Sequence, residues 1–237
     1  MNYDELWPGG PRFLRSAGVF PLSTDSVLLA HFVAGTRAAR IMDLGCGAGV
    51  LTVLLHASHP DAAIDGVELQ PEAAALCRQN LEVNAYDASG IRTMDLRAHR
   101  GVLEAGGYDL TVSNPPYFAV DSGLPAPDDH RAAARDERFC TLDDVCAAAA
   151  WLTRWGGAFA LVHRPERLSE ILCTLTAHDL EPKRLRMVQH RAESAPILVL
   201  VEARRGGRPG LLIDAPLILC APDGGDSIEL KQIYHRG

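Results

Sequence analysis

Ile41-Met42-Asp43-Leu44-Gly45-Cys46-Gly47-Ala48-Gly49 reads as a short buried strand that runs straight into a glycine-rich turn. Val50-Leu51-Thr52-Val53-Leu54-Leu55 then reads as a helix packed on a sheet. A strand, a turn whose missing Cβ atoms let the backbone approach a ligand, and a helix make the first half of a βαβ unit. The spacing is G-x-G-x-G, not the G-x-G-x-x-G of dinucleotide folds, and the G-x-x-x-x-G-K-[ST] phosphate cradle is absent. The unit repeats downstream. Ile64-Asp65-Gly66-Val67-Glu68-Leu69 is the next strand, and Pro71 opens a helix through about Asn84. Ile91-Arg92-Thr93-Met94-Asp95 is a third strand and Leu110-Thr111-Val112 the core of a fourth.

Further along, Thr141-Leu142-Asp143-Asp144 caps a helix through about Arg154, and residues 158–162 form a fifth strand. Residues 166–178 are helical, late strands lie near 185–189 and 197–202, and 211–219 is one more extended segment. Upstream, Ser23-Thr24-Asp25 caps a helix whose apolar face is Val27, Leu28, Leu29, Phe32 and Val33. Residues 119–140 carry prolines and paired aspartates without periodicity and read as a loop. Strands alternating with helices imply an α/β fold: a mostly parallel, Rossmann-like sheet with helices on both faces and right-handed crossovers. The chain divides as one domain, 1–237, with a helical or irregular segment 1–40, a core 41–203 and an extension 204–237.

In such sheets ligands bind beyond the carboxyl ends of the strands. The glycine loop, Glu68, Asp95 and Asn114 all fall at such ends. Gly45, Gly47 and Gly49 are therefore candidates for cradling a nucleotide-like cofactor. Glu68, ending the second strand, suits the two hydroxyls of a ribose. Asp95 suits the exocyclic amine of an adenine, and Asp43 either attracts a cationic end of the cofactor or fixes the loop.

Asn114-Pro115-Pro116-Tyr117 follows the fourth strand directly. Two prolines hold an extended turn and remove backbone donors. An Asn amide, the Pro115 carbonyl and the Tyr117 ring then form a grip for a planar amino group: two acceptors for its protons and a face to stack on, which Phe118 extends. An arylamine is a poor nucleophile because its lone pair is delocalised. Two acceptors on its protons favour a pyramidal nitrogen and counter the charge that develops on it. With the glycine loop, this implies methyl transfer from S-adenosylmethionine to an amino nitrogen.

Composition sets outer limits. The 237 residues are 47% hydrophobic with a net charge of −7, and no apolar run approaches the roughly 18 residues of a membrane span. The start lacks the layout of a signal peptide, so a cytoplasmic location without membrane contact is expected. Six cysteines at 46, 77, 140, 146, 173 and 220 form no C-x-x-C pair, and nine histidines lack ligand spacing. No metal site is expected. Acidic balance argues against a general nucleic-acid binder, but the distribution is uneven. Residues 1–150 hold 11 Lys/Arg against 20 Asp/Glu, and residues 151–237 hold 12 against 10. Lys183, Arg184 and Arg186, Arg204 and Arg205, and Arg131, Arg135 and Arg138 are candidate cations for a structured RNA.

The glycine loop together with the Asn-Pro-Pro-Tyr turn resembles class I methyltransferases acting on planar amino or amide nitrogens: adenine N6, cytosine N4 or glutamine N5. Ser23-Thr24-Asp25-Ser26-Val27-Leu28-Leu29-Ala30, Val162-His163-Arg164-Pro165-Glu166-Arg167-Leu168, Glu181-Pro182-Lys183-Arg184-Leu185-Arg186 and Gly206-Gly207-Arg208-Pro209-Gly210 are similar to stretches of the bacterial tRNA (adenine-N6)-methyltransferase family. That family modifies the adenine beside the anticodon of a valine tRNA. The resemblance covers nearly the whole chain. It implies a seven-stranded sheet with the last strand antiparallel, tRNA as partner, and cofactor or catalytic roles for Asp43, Gly45, Gly47, Glu68, Asp95 and residues 114–117. Asp136 departs from the family pattern, where a histidine is expected. Protein glutamine-N5 methylation and adenine-N6 methylation of another RNA or of DNA are the alternatives the turn leaves open.

Overall fold

The computed structural model describes residues 3–14, 24–115 and 140–236. A short hairpin comes first, β1 (Tyr3–Glu5) against β2 (Arg12–Leu14), followed by α1 (Thr24–Val33). The repeating unit then runs β3 (Arg40–Leu44), α2 (Val50–Ser58), β4 (Ala63–Glu68), α3 (Pro71–Val83), β5 (Ile91–Thr93) and, after a 3-10 turn at Leu96–Ala98, β6 (Tyr108–Ser113). Beyond it lie α4 (Leu142–Leu152), β7 (Thr153–His163), α5 (Leu168–Ala177), β8 (Leu180–Gln189) and β9 (Pro196–Arg205). Two-residue strands β10 (Leu212–Ile213) and β11 (Leu217–Ile218) and the helix α6 (Ile228–Ile233) complete the chain.

The main sheet has nine strands in the order β10-β8-β9-β7-β6-β3-β4-β5, with β11 also paired to β8. All neighbours from β7 to β5 are parallel, and β9 is antiparallel to both β7 and β8. Seven of these strands, β3 to β9, make the expected mostly parallel sheet with β9 reversed, and the short β10 and β11 raise the count from the expected seven to nine. Along β7 the side chains alternate between its faces. Ala158, Ala160 and Val162 join a core built with α1, α2 and α6, while Phe159 and Leu161 join one built with α4 and α5. The helices start where their sequences say they should. Pro71 opens α3, and Thr141 and Asp144 form a reciprocal capping box on α4. Gly49 precedes α2 at φ 86°, and a Cβ there would lie 2.6 Å from Cys77 Sγ, so glycine is what lets α2 close on α3.

Four sequence expectations are corrected. The irregular start contains a hairpin, docked because the Asn84 and Asn80 amide oxygens of α3 accept the Arg12 and Leu14 N–H groups at 2.8 and 2.9 Å. Two three-residue strands are too short to declare a period. The helix expected to reach Arg154 stops at Leu152, because Thr153 is drawn into the sheet, its hydroxyl 2.8 Å from that of Thr111. The late strand expected near 197–202 runs on to Arg205. Finally, the segment 211–219 is not one strand but two, β10 and β11, each parallel to β8 and parted around Pro216, which has no N–H for a ladder. The expected loop at 119–140 lies outside the described residues except for Cys140.

Candidate active site

Neighbouring strands bring the two motifs together. β3 and β6 pair in register through Asp43 and Val112, so the next positions are Leu44 beside Ser113 and, beyond them, Gly45 beside Asn114. The buried Ser113 hydroxyl donates to the Leu44 carbonyl at 2.8 Å. That bond fastens the start of the Asn-Pro turn to the residue from which the glycine loop departs. The loop itself is pinned from the other side, where the Gly45 and Cys46 N–H groups share the Val67 carbonyl at 2.9 and 3.0 Å. Gly45 and Gly47 have φ of 77° and 53°, and a Cβ built on either meets nothing within 4 Å. Their backbone faces open space, as a ligand cradle requires.

Three carboxylates at this edge of the sheet are held in different ways. Glu68 accepts from the Gly47 N–H at 2.9 Å and the Gln70 N–H at 2.8 Å, so it holds the loop while standing at the end of β4. Asp43 is 1% exposed. The Thr52 hydroxyl of α2 donates to its Oδ2 at 2.7 Å, and its Oδ1 has no hydrogen-bond partner. Burial, aided by the charge of Glu68 and opposed by the Thr52 bond, pushes the Asp43 carboxyl up to about 7. Asp95 lies two residues past the end of β5 rather than on it, capping the 3-10 turn. Arg97 binds both its oxygens, at 2.6 Å in the shortest contact, and that hydrogen bonding holds Asp95 below the usual carboxylate range.

Asn114 is partly buried, and its Nδ2 donates to Ser26 Oγ in the first turn of α1 at 3.0 Å. Pro115 is buried behind it. Pro116, Tyr117, Phe118, Arg131, Arg135, Arg138 and Asp136 lie outside the described residues. At the carboxyl end of β7, the neighbour of β6, His163 is buried and its Nδ1 accepts the Arg164 N–H at 2.8 Å. Burial, with the charge of Arg167, pushes this imidazole down to about 4, so it is neutral at neutral pH.

The late cations are not gathered at this site. Arg184 stacks on the Phe32 ring with its guanidinium carbon 3.9 Å from the centroid, donates to the Phe32 carbonyl and pairs with Glu202 at 3.2 Å. Arg186 forms a two-pronged pair with Glu229 at 2.7 and 2.8 Å. Lys183 donates to the Arg208 carbonyl at 3.0 Å. Arg204 binds the Gly156 carbonyl at 2.7 Å and Arg205 the Thr153 carbonyl. Because β9 runs backwards, pairing Arg205 with Leu180 and Arg204 with Ala158, its end lies at the opposite edge of the sheet from the glycine loop. These side chains brace α1, α6 and the strand ends.

Sequence reasoning missed the polar residues that hold the site: Ser26, Thr52, Asn80 and Ser113. Buried Asn80 donates to the Ala48 carbonyl at 2.8 Å while accepting from Leu14, clamping the loop between α3 and β2. Each is a small polar residue on an otherwise apolar face, and that interruption was the available signal. Among the described residues no group of three or more His, Cys, Asp or Glu is arranged to hold a metal ion, and no helix is long and apolar enough to cross a membrane.

A family model described as the methyltransferase small domain matches residues 12–124. A protein of Aeromonas hydrophila named tRNA1(Val) (adenine(37)-N6)-methyltransferase is 33% identical over 186 residues, 78% of this chain and 77% of the relative. One of the same name from Porphyromonas gingivalis is 30% identical over 190 residues, 77% of this chain and 74% of the relative. Among solved structures, a protein of Agrobacterium tumefaciens titled a predicted O-methyltransferase superposes with a TM-score of 0.73 at 24% identity, over 90% of this chain and 97% of that one. A geranyl diphosphate C-methyltransferase from Streptomyces coelicolor shares the fold at a TM-score of 0.54 and 12% identity, over 81% and 93% of the two chains. Glycine cradle, acidic strand ends and fastened Asn-Pro turn thus occur in a chain that is a methyltransferase, and it belongs to the tRNA1(Val) (adenine(37)-N6)-methyltransferase family.

Proposed function

We infer that this chain transfers a methyl group from S-adenosylmethionine to the exocyclic N6 of an adenine in tRNA, the adenine beside the anticodon of a valine tRNA. The observation that carries the reading is the Ser113–Leu44 bond, which keeps an amide acceptor and an open glycine cradle on adjoining strand ends. The residues fit the cofactor on two counts. The backbone of Gly45 and Gly47 faces open space, and Asp43, next to the loop, keeps a buried oxygen without a hydrogen-bond partner that suits a cationic ligand. Gly45, Gly47 and Gly49 would line the cofactor and Asp43 would balance its charge. Glu68 would receive the ribose hydroxyls, and Asp95 the adenine amine in place of Arg97. When bound, the cofactor supplies a methyl group on a sulfonium, an electrophile that asks for no strong general base.

The chain's own work is orientation and electrostatics. Asn114 Oδ1 and the Pro115 carbonyl accept the two amine protons, which concentrates the lone pair on nitrogen and offsets the positive charge that grows there. Pro116 stiffens the turn, Tyr117 stacks on the base and Phe118 extends the platform. The adenine must arrive unstacked, because its amine is out of reach inside a helix. Pushed down to about 4, His163 is a poor proton acceptor, so the product's extra proton leaves to water. Arg131, Arg135 and Arg138, which follow the turn in sequence, are the cations proposed for RNA phosphates.

Asn114→Ala tests the reading. Methyl transfer to tRNA is expected to fall by at least about 10²-fold, the usual worth of a preorganised transition-state contact, while calorimetric affinity for S-adenosylmethionine stays within about twofold. An active Asn114→Ala enzyme would refute the assignment.

A further inference from the structure

We propose that Ser26 is a positioning residue that sets which end of the Asn114 amide faces the substrate, and so selects an exocyclic amine over a ring carbonyl; this rests on the reading of Asn114 as the acceptor of the amine protons. A side-chain amide has one accepting and one donating end, and its terminal torsion is roughly two-fold. Turned one way it receives an amine. Turned the other way it offers N–H groups, which suit the carbonyl of a 6-oxopurine.

A preference between the two orientations comes from α1. Asn114 Nδ2 donates to Ser26 Oγ at 3.0 Å across 88 residues of sequence. Ser26 is 6% exposed, so water does not compete freely for its hydroxyl. Its helix is anchored by Val27, Leu28, Leu29, Phe32 and Val33 in the core, so the hydroxyl is presented from a fixed element. With Nδ2 turned toward α1, the carbonyl end points away from the helix. A hydroxyl can also donate, so the direction of this bond is the point to be tested.

Ser26→Ala and Ser26→Thr are compared with the wild-type full chain, using tRNA bearing adenine at the target position and the same tRNA bearing hypoxanthine there as a competitor. In Ser26→Ala, kcat falls about tenfold, the worth of roughly one hydrogen bond. KM for the adenine tRNA, cofactor affinity and the thermal midpoint barely move, while the hypoxanthine tRNA becomes a relatively stronger competitor. Ser26→Thr keeps the hydroxyl and restores both kcat and discrimination. A wild-type kcat in Ser26→Ala, or unchanged discrimination against hypoxanthine, overturns the proposal. The Asn114 side-chain amide resonance, assigned through Asn114→Ala, gives a readout that needs no turnover. It is expected to shift and to exchange faster in Ser26→Ala. An unmoved resonance overturns the Ser26 contact, whereas a wild-type protein inert toward every tRNA refutes the substrate reading and leaves this resonance to decide Ser26.

Discussion

Replacing Asp43 with Asn should make the folded protein more stable, and only above mildly acidic pH. Burial holds the Asp43 carboxyl at about 7 against an ordinary value of 3.8. Between those two values the unfolded chain has released a proton that the folded protein keeps, so folding loses stability as pH rises through the window and is flat above it. The full interval corresponds to at most about 4 kcal/mol, and the part between pH 5 and pH 7 to about 2–3 kcal/mol. The raw stability curve will not display this, because His163 acts in reverse. Pushed down to about 4 from an ordinary 6.5, it costs stability as pH falls through much of the same range. The difference between variant and wild type removes that contribution. Urea unfolding of both proteins, without cofactor, should show Asp43→Asn gaining about 2–3 kcal/mol relative to wild type between pH 5 and pH 8. A difference that does not change with pH would refute the claim that this site holds a buried ionisable charge.

Glu68→Gln retains the shape of the side chain but loses the charge that two backbone N–H groups point at. It should lower stability by about 1.5–3 kcal/mol, seen as a lower thermal midpoint, and weaken S-adenosylmethionine binding at least about tenfold by calorimetry; unchanged values in both assays would remove Glu68 from the site. Arg205→Leu should destabilise the protein through the lost bond to the Thr153 carbonyl and leave the salt dependence of tRNA binding unaltered. A shallower salt slope with an unchanged thermal midpoint would instead return Arg205 to the RNA surface.

Much of this architecture was legible because its signals are local. β3 and β6 are short apolar runs, α3 starts at a proline and α4 and α6 at capping residues, and the acidic strand ends fall at one edge of the sheet once the strands are parallel. The reversed last strand came from the family resemblance, since periodicity does not report strand direction. What stayed hidden depends on contacts across long separations. Asn84 and Asn80 docking a three-residue strand, Ser113 reaching Leu44, and Ser26 meeting Asn114 each join elements that the sequence keeps 66 to 88 positions apart. The roles of Arg184, Arg186 and Arg204 show the same limit. A run of Arg and Lys looks the same whether it faces solvent or is consumed by Glu202, Glu229 and backbone carbonyls. Only the partners, which come from other elements, tell the two apart.

Whether the fastened Asn-Pro turn methylates an adenine amine in tRNA is decided by a product assay. The purified full chain is incubated with methyl-labelled S-adenosylmethionine and, in parallel, total tRNA, DNA and a protein extract, and the products are digested and read by mass spectrometry. Label is expected in tRNA as N6-methyladenosine, and none when Asn114→Ala is used. Label on protein glutamine or in DNA, or label in tRNA at a nucleoside other than adenosine, would contradict it.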